Sequence, residues 1–149
     1  MSMENKHLLL ADDDDDDCLL FRDALRELPF ATLLSVVSDG AELMKVLTDT
    51  SIPLPDFLFL DLNMPRKNGT ECLLEIKQDK RLKDLPVIIF STCALQPTIN
   101  NLFAMGAQHY IRKPASFQDL TVLIEQALSG FSGSGNVPPS KDAFILSMH

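Results

Sequence analysis

The chain predicts an α/β fold, a doubly wound five-stranded parallel sheet with helices on both faces. Three observations predict it. Short apolar runs alternate five times with stretches of helical period. Several runs, such as Leu8-Leu9-Leu10-Ala11, Phe57-Leu58-Phe59-Leu60 and Val87-Ile88-Ile89-Phe90, are apolar without polar alternation, as strands buried on both faces read. The runs also end on polar residues, and an open parallel sheet gathers its ligands at the carboxyl ends of its strands.

The elements follow in order. His7 to Ala11 is too brief for a helix and suits a central strand. Six aspartates, Asp12 to Asp17, come next. Asp15 to Asp17 read as the solvated, acidic start of a helix whose apolar face is Leu20, Phe21, Ala24, Leu25 and Leu28, with Pro29 ending it. Thr32 to Val37 is a second strand. Asp39-Gly40-Ala41-Glu42 has the form of a capping box before a helix that buries Leu43, Met44 and Leu47. A loop from Thr48 to Pro55 leads to the third strand, which ends at Asp61. The turn from Asn63 to Gly69 precedes a helix carrying Cys72, Leu73 and Ile76, and a polar linker runs from Gln78 to Asp84. Pro86 to Phe90 is the fourth strand and reaches Ser91-Thr92. A helix of about Thr98 to Met105 stops at Gly106. His109-Tyr110-Ile111 is the fifth strand and runs into Lys113-Pro114. Phe117, Leu120, Ile124, Ala127 and Leu128 line a last helix that Gly130 ends. Right-handed crossovers favour the flavodoxin-like order 2-1-3-4-5, which sets Asp12 and Asp13 beside Asp61.

At 149 residues the chain is one domain by length, over residues 1–130. Residues 131–149 read as a flexible tail, with a Gly/Ser-rich stretch, the stiffer Val137-Pro138-Pro139 and a short apolar run, Ala143 to Leu146, that docks on the domain or on a neighbour. The tail is too short for an output domain. Net charge is −8, of which the aspartate run supplies −6, so the acidity is local and nothing is basic enough for a nucleic-acid groove. The cysteines Cys18, Cys72 and Cys93 are scattered, as reduced thiols are in a cytosolic protein. No apolar stretch approaches the ~18 residues of a membrane span. A soluble cytoplasmic protein is the expectation.

The strand ends carry the chemistry. Asp12 and Asp13, Asp61, Ser91 and Lys113 come from four different strands. Crowded carboxylates repel, and one must take a proton unless a cation joins them. Hard oxygen ligands suit Mg²⁺. A metal, a lysine and a hydroxyl around one carboxylate make a site for a phosphoryl group. Each residue alone has a plainer reading, since an aspartate at a strand end is more often a turn former.

These residues carry a resemblance. Leu9-Leu10-Ala11-Asp12-Asp13, Leu60-Asp61-Leu62-Asn63-Met64-Pro65 with Gly69, Pro86 to Ser91, Gly106-Ala107 and Tyr110-Ile111-Arg112-Lys113-Pro114 are similar, in order and spacing, to the receiver domain of two-component response regulators over about residues 6–129. The resemblance implies that Asp61 accepts a phosphoryl group from a phosphohistidine on a sensor kinase. It implies Mg²⁺ held by the carboxylates of Asp13 and Asp61, by the Asn63 main-chain carbonyl and, through water, by Asp12. Ser91 would move toward the phosphate, Tyr110 would turn its ring inward, Lys113 would form a salt bridge, and the Lys113–Pro114 bond would be cis. Its effector surface, also a possible homodimer face, would be the fourth helix, fifth strand and fifth helix, about Thr98 to Leu128. Two departures stand out. The extra aspartates include Asp14, a further candidate metal ligand, and Thr92 stands where the family often has Ala or Gly, which predicts slow self-dephosphorylation.

Other functions share parts of this pattern. A flavodoxin-type protein wants a Ser/Thr/Gly-rich phosphate loop where this chain has aspartates. A haloacid-dehalogenase-like phosphatase wants an acid two residues after its nucleophile, and residue 63 is Asn. The remaining alternative is a receiver-fold scaffold that binds partners without phosphorylation.

Overall fold

The computed structural model describes residues 6–93, 95–129 and 141–146. The strands are β1 (Lys6–Ala11), β2 (Thr32–Val37), β3 (Phe57–Leu60), β4 (Val87–Ser91), β5 (His109–Arg112) and β6 (Ile145–Leu146). The helices are α1 (Asp15–Arg26), α2 (Gly40–Thr48), α3 (Gly69–Gln78), α4 (Gln96–Ala104), α5 (Phe117–Ser129) and the single turn α6 (Lys141–Phe144). All strand pairs are parallel, in the order β2-β1-β3-β4-β5-β6. The first five places match the order read from the sequence.

Period-2 geometry explains why the central strands are apolar throughout. Leu9, Leu58, Leu60, Val87 and Ile89 point into one core with residues of α2, α3 and α4. Their chain neighbours Leu8, Leu10, Phe57, Phe59, Ile88 and Phe90 point into the other, with α1 and α5. In that second core Phe21 of α1 meets Phe59 and Phe90 edge-on, at 4.9 and 5.5 Å between ring centroids. Strand β2 lies at the sheet edge, and its burial alternates accordingly.

Helix termini follow local chemistry, with one exchange of parts. Asp39 caps α2 by accepting the Glu42 amide at 2.7 Å, but Glu42 reaches back to the Ser38 amide at 2.8 Å, not to Asp39. The reciprocal capping box belongs to α3, between Asn68 and Glu71. Helix α4 ends in a Schellman turn: Gly106, at φ 96°, donates to Phe103 O and Ala107 donates to Leu102 O. Leu20, expected on the buried face of α1, is 46% exposed, because the inward stripe is carried by Phe21, Ala24, Leu25 and Leu28.

Two expectations need correction. The Lys113–Pro114 bond is trans, the isomer that X–Pro bonds favour by about 0.5–1 kcal/mol. The sheet has six strands instead of five, because the run near the C-terminus docks on the domain. Ile145 pairs with Tyr110 and Leu146 with Ile111. The Phe144 ring is 1% exposed and sits 5.2 Å from Phe103 and 6.2 Å from Tyr110, while its carbonyl lies 3.2 Å from His109 Nδ1. An unpaired strand edge and an apolar cleft beside it are both satisfied by this segment. The linker assigned to residues 131–139 lies outside the described residues.

Phe144→Ala removes the ring that anchors the sixth strand. Urea denaturation is expected to show a loss of roughly 3–5 kcal/mol, and hydrogen exchange should rise at the β5 edge while the β1 and β3 amides keep their protection. Unchanged exchange at β5 would show that this ring does not hold the segment.

Candidate functional site

Strand register builds the site. Ala11 stands opposite Leu60, so the next residue on each strand, Asp12 and Asp61, emerges at the same end of neighbouring strands. The backbone keeps the pairing one step further, with the Asp61 amide donating to Ala11 O at 2.9 Å and the Asp12 amide to Val37 O at 3.0 Å. Across the sheet Ser91 stands opposite Arg112, and the Lys113 amide donates to Ser91 O at 2.9 Å. The chain then delivers the Lys113 ammonium to the acids.

Asp12 and Asp61 are buried and Asp13 is exposed, and one carboxylate oxygen from each lies within 4.8 Å of the others. Lys113 Nζ lies 2.7 Å from Asp17 Oδ2, 2.9 Å from Asp12 Oδ2 and 3.4 Å from Asp61 Oδ2. It also sits over the Phe90 ring, 5.2 Å from the centroid. Asp12 Oδ1 accepts the Asp14 amide at 2.9 Å. Its other oxygen is fully buried and its partner is the Lys113 ammonium, 2.9 Å away in an ion pair poorly aligned for a hydrogen bond.

The loop after β3 fits closely against Asp61. A β-carbon on Gly69 would stand 2.3 Å from Asp61 O and 2.9 Å from Leu62 Cα, so only glycine allows α3 to start there. Arg66 in the same loop adopts the left-handed region at φ 69°.

Burial pushes the Asp61 carboxyl up to about 6; Lys113 pulls the other way and the Asp12 charge adds to the rise. Asp12 is likewise raised, chiefly by burial. Burial also opposes the charge on Lys113, but Asp17, Asp12 and Asp61 outweigh it and hold the lysine above its ordinary value. Asp12, Asp17 and Asp61 face one ammonium, so the pocket keeps a negative excess even before Asp13 is counted. A buried oxygen without an aligned donor, an all-oxygen donor set and this excess fit a hard divalent cation.

The other residues singled out in the sequence are placed as follows. Asn63 is exposed and its amide approaches Asp61 Oδ1 at 3.4 Å. Ser91 and Tyr110 are buried and both engage Cys93, not the carboxylates. Ser91 Oγ accepts the Cys93 amide at 3.1 Å, and the Tyr110 hydroxyl donates to Cys93 O at 2.7 Å. Thr92 is exposed. Asp14 is the N-cap of α1, accepting the Asp16 and Asp17 amides at 2.9 and 3.1 Å, and it lies outside the acidic group. Sequence reasoning missed Asp17, which reads as a solvated helix start. Its partner is 96 residues away, so no local pattern points to the pair.

The response regulator receiver domain profile matches residues 8–125. The response regulator Rcp1 of Synechocystis is 30% identical over 96 residues, 62% of this chain and 65% of that protein. The chemotaxis protein CheY of Pseudomonas aeruginosa is 31% identical over 114 residues, 76% and 89% of the two chains. The chain spans about half to two thirds of the length of several curated relatives it matches. The crystal structure of the Mn²⁺-bound form of Rcp1 superposes with a TM-score of 0.77 at 27% identity, covering 91% of this chain and 99% of that one. A crystal structure of the phosphorylated cyanobacterial phytochrome response regulator RcpA gives 0.77 at 32% identity, with the same coverage. Among the described residues no helix is long and apolar enough to cross a membrane.

The raised Asp61 value has a thermodynamic consequence. Between the ordinary carboxylate range and about 6, the folded chain binds a proton that the unfolded chain has lost. Stability therefore falls as pH rises through that window. Without added cation, Asp61→Asn is expected to be more stable than the parent at pH 7 by about 2–3 kcal/mol, the pull of Lys113 being already contained in the raised value. The difference should shrink as pH falls from about 6 toward 4, and level off below that. Thermal melts across pH check this, and a gap that widens on acidification would contradict it.

Proposed function

The chain belongs to the response regulator receiver domains, and from that premise we propose that Asp61 accepts a phosphoryl group from a phosphohistidine on a sensor histidine kinase or phosphotransfer protein. The observation that carries this reading is the convergence of Asp12, Asp13 and Asp61 with Lys113 at the ends of β1, β3 and β5. The Mn²⁺-bound and phosphorylated states named for Rcp1 and RcpA lend it support by similarity.

An Asp61 carboxylate oxygen attacks phosphorus in line as the P–N bond to the donor imidazole breaks. The imidazole leaves with that electron pair and takes up a proton. Its raised value leaves Asp61 mostly ionised at pH 7, and the Lys113 ammonium lies where negative charge arrives on the phosphoryl oxygens. Asp13 and Asp61 through their carboxylates, Asn63 through its main-chain carbonyl and Asp12 through water would hold Mg²⁺. When bound, that ion supplies the remaining charge neutralisation. Ser91 bonds a phosphoryl oxygen after moving from Cys93, and Tyr110, whose hydroxyl engages the same residue, carries the change to the α4–β5–α5 face. The acid is itself the acceptor, so the chain turns over no external substrate. The receiver unit is residues 1–130 together with the docked strand β6, working in the cytoplasm and signalling through a protein effector or a second copy bound at that face.

A scaffold that binds partners without phosphorylation is the competing reading. Incubation with acetyl phosphate and Mg²⁺ followed by intact-mass measurement separates the two. One added phosphoryl group in the parent and none in Asp61→Ala is the expected result, and an unchanged parent mass would favour the scaffold. Once phosphorylated, Thr92→Ala should lose its phosphoryl group faster than the parent, by several-fold, because a smaller neighbour admits attacking water. Equal lifetimes in a phosphate-release time course would remove that role from Thr92.

A further inference from the structure

Asp17 has no part in the chemistry above, yet it makes the shortest contact of Lys113. Its Oδ2 lies 2.7 Å from Nζ, against 2.9 Å for Asp12 and 3.4 Å for Asp61. An ammonium has three protons, and among the described residues these three carboxylates are its ion-pair partners. They differ in what else they serve. Asp12 and Asp61 belong to the acidic group that fits a divalent cation, and Asp17 stands outside it. Asp17 is also fixed in place, since Asp14 Oδ1 accepts its amide at the first turn of α1.

A cation drawn to Asp12 meets an ammonium already there. Two positive centres on one carboxylate repel, and at such short range inside a protein the repulsion is large. The lysine must yield Asp12 and still remain beside Asp61 if it is to meet a phosphoryl oxygen. Asp17 supplies the counter-charge that makes this possible. The geometry points to Asp17 as a positioning residue: it is the seat that retains the Lys113 ammonium next to Asp61 when a divalent cation, held through water, engages Asp12. This deepens the phosphoacceptor reading and rests on it for its consequence in phosphoryl transfer, but its first effect is on cation binding.

The test uses the full chain, unphosphorylated, titrated with Mg²⁺ by calorimetry, in the parent, Asp17→Asn, Asp17→Glu and Asp16→Asn. Asp16 is exposed on the same turn and is not among the partners of Lys113, so its variant removes the same charge without touching the lysine. Asp17→Asn is expected to weaken Mg²⁺ binding roughly tenfold, as loss of a charge-assisted contact does. Asp16→Asn should change it by no more than about twofold, as exposed charges do, and Asp17→Glu should recover most of the affinity. At saturating Mg²⁺, Asp17→Asn should also accept a phosphoryl group from acetyl phosphate more slowly than the parent. Equal weakening in the Asp16 and Asp17 variants, unchanged or tighter binding in Asp17→Asn, or a parent that binds no Mg²⁺ would overturn the proposal. Because the titration precedes any phosphoryl donor, a parent that binds Mg²⁺ but gains no phosphoryl group defeats the phosphoacceptor reading and leaves the comparison of Asp17 with Asp16 intact.

Discussion

The parallel pairing of β1 with β3 is the constraint on which the rest depends. Its register sets Ala11 against Leu60, and so forces two aspartates out of the sheet side by side into a place largely closed to water. Both cores serve to hold that register. A slip of one residue would turn Leu9 and Leu58 out of one core and Leu8 and Phe57 out of the other, so the hydrophobic pattern fixes the acids as firmly as it fixes the strands. Gly69 then lets the following loop close over the Asp61 backbone, where any side chain would collide.

Holding like charges together in a buried place is costly, and the fold offsets the cost only in part. Lys113 answers three carboxylates with one ammonium. What remains is visible in the raised values of Asp61 and Asp12 and in an Asp12 oxygen with no aligned donor. A site left short of positive charge is poised to gain from a cation or from chemistry that rearranges its charges. The strain of the site and its function have the same origin.

The other end of the sheet shows a second coupling. Tyr110 is fully buried, with its hydroxyl on Cys93 O and its strand neighbour His109 contacting the Phe144 carbonyl. Strand β6 covers the β5 edge that the sequence left open. A partner approaching β5 by strand addition meets an edge already occupied, whereas the outer faces of α4 and α5 remain presented to solvent.

Local pattern determined much of this protein. Unbroken apolar runs marked β1, β3 and β4 as buried on both faces, helical periodicity marked α1, α2, α3 and α5, and Gly106 marked the end of α4. The alternation of strand and helix, under the handedness of crossovers, set the order of the first five strands and therefore the meeting of Asp12, Asp13, Asp61 and Lys113. Tertiary structure alone decided the rest. Asp17 looked like any acidic helix start, because its charge acquires meaning only from a lysine brought across from β5. The last apolar run is four residues long, and such a run carries no periodicity that distinguishes a loose tail from an edge strand. Its place was settled by the unpaired edge of β5 and by the space for one phenylalanine ring between Phe103 and Tyr110. Contacts within a few residues are written in the chain, whereas contacts between distant segments depend on the surfaces that folding creates.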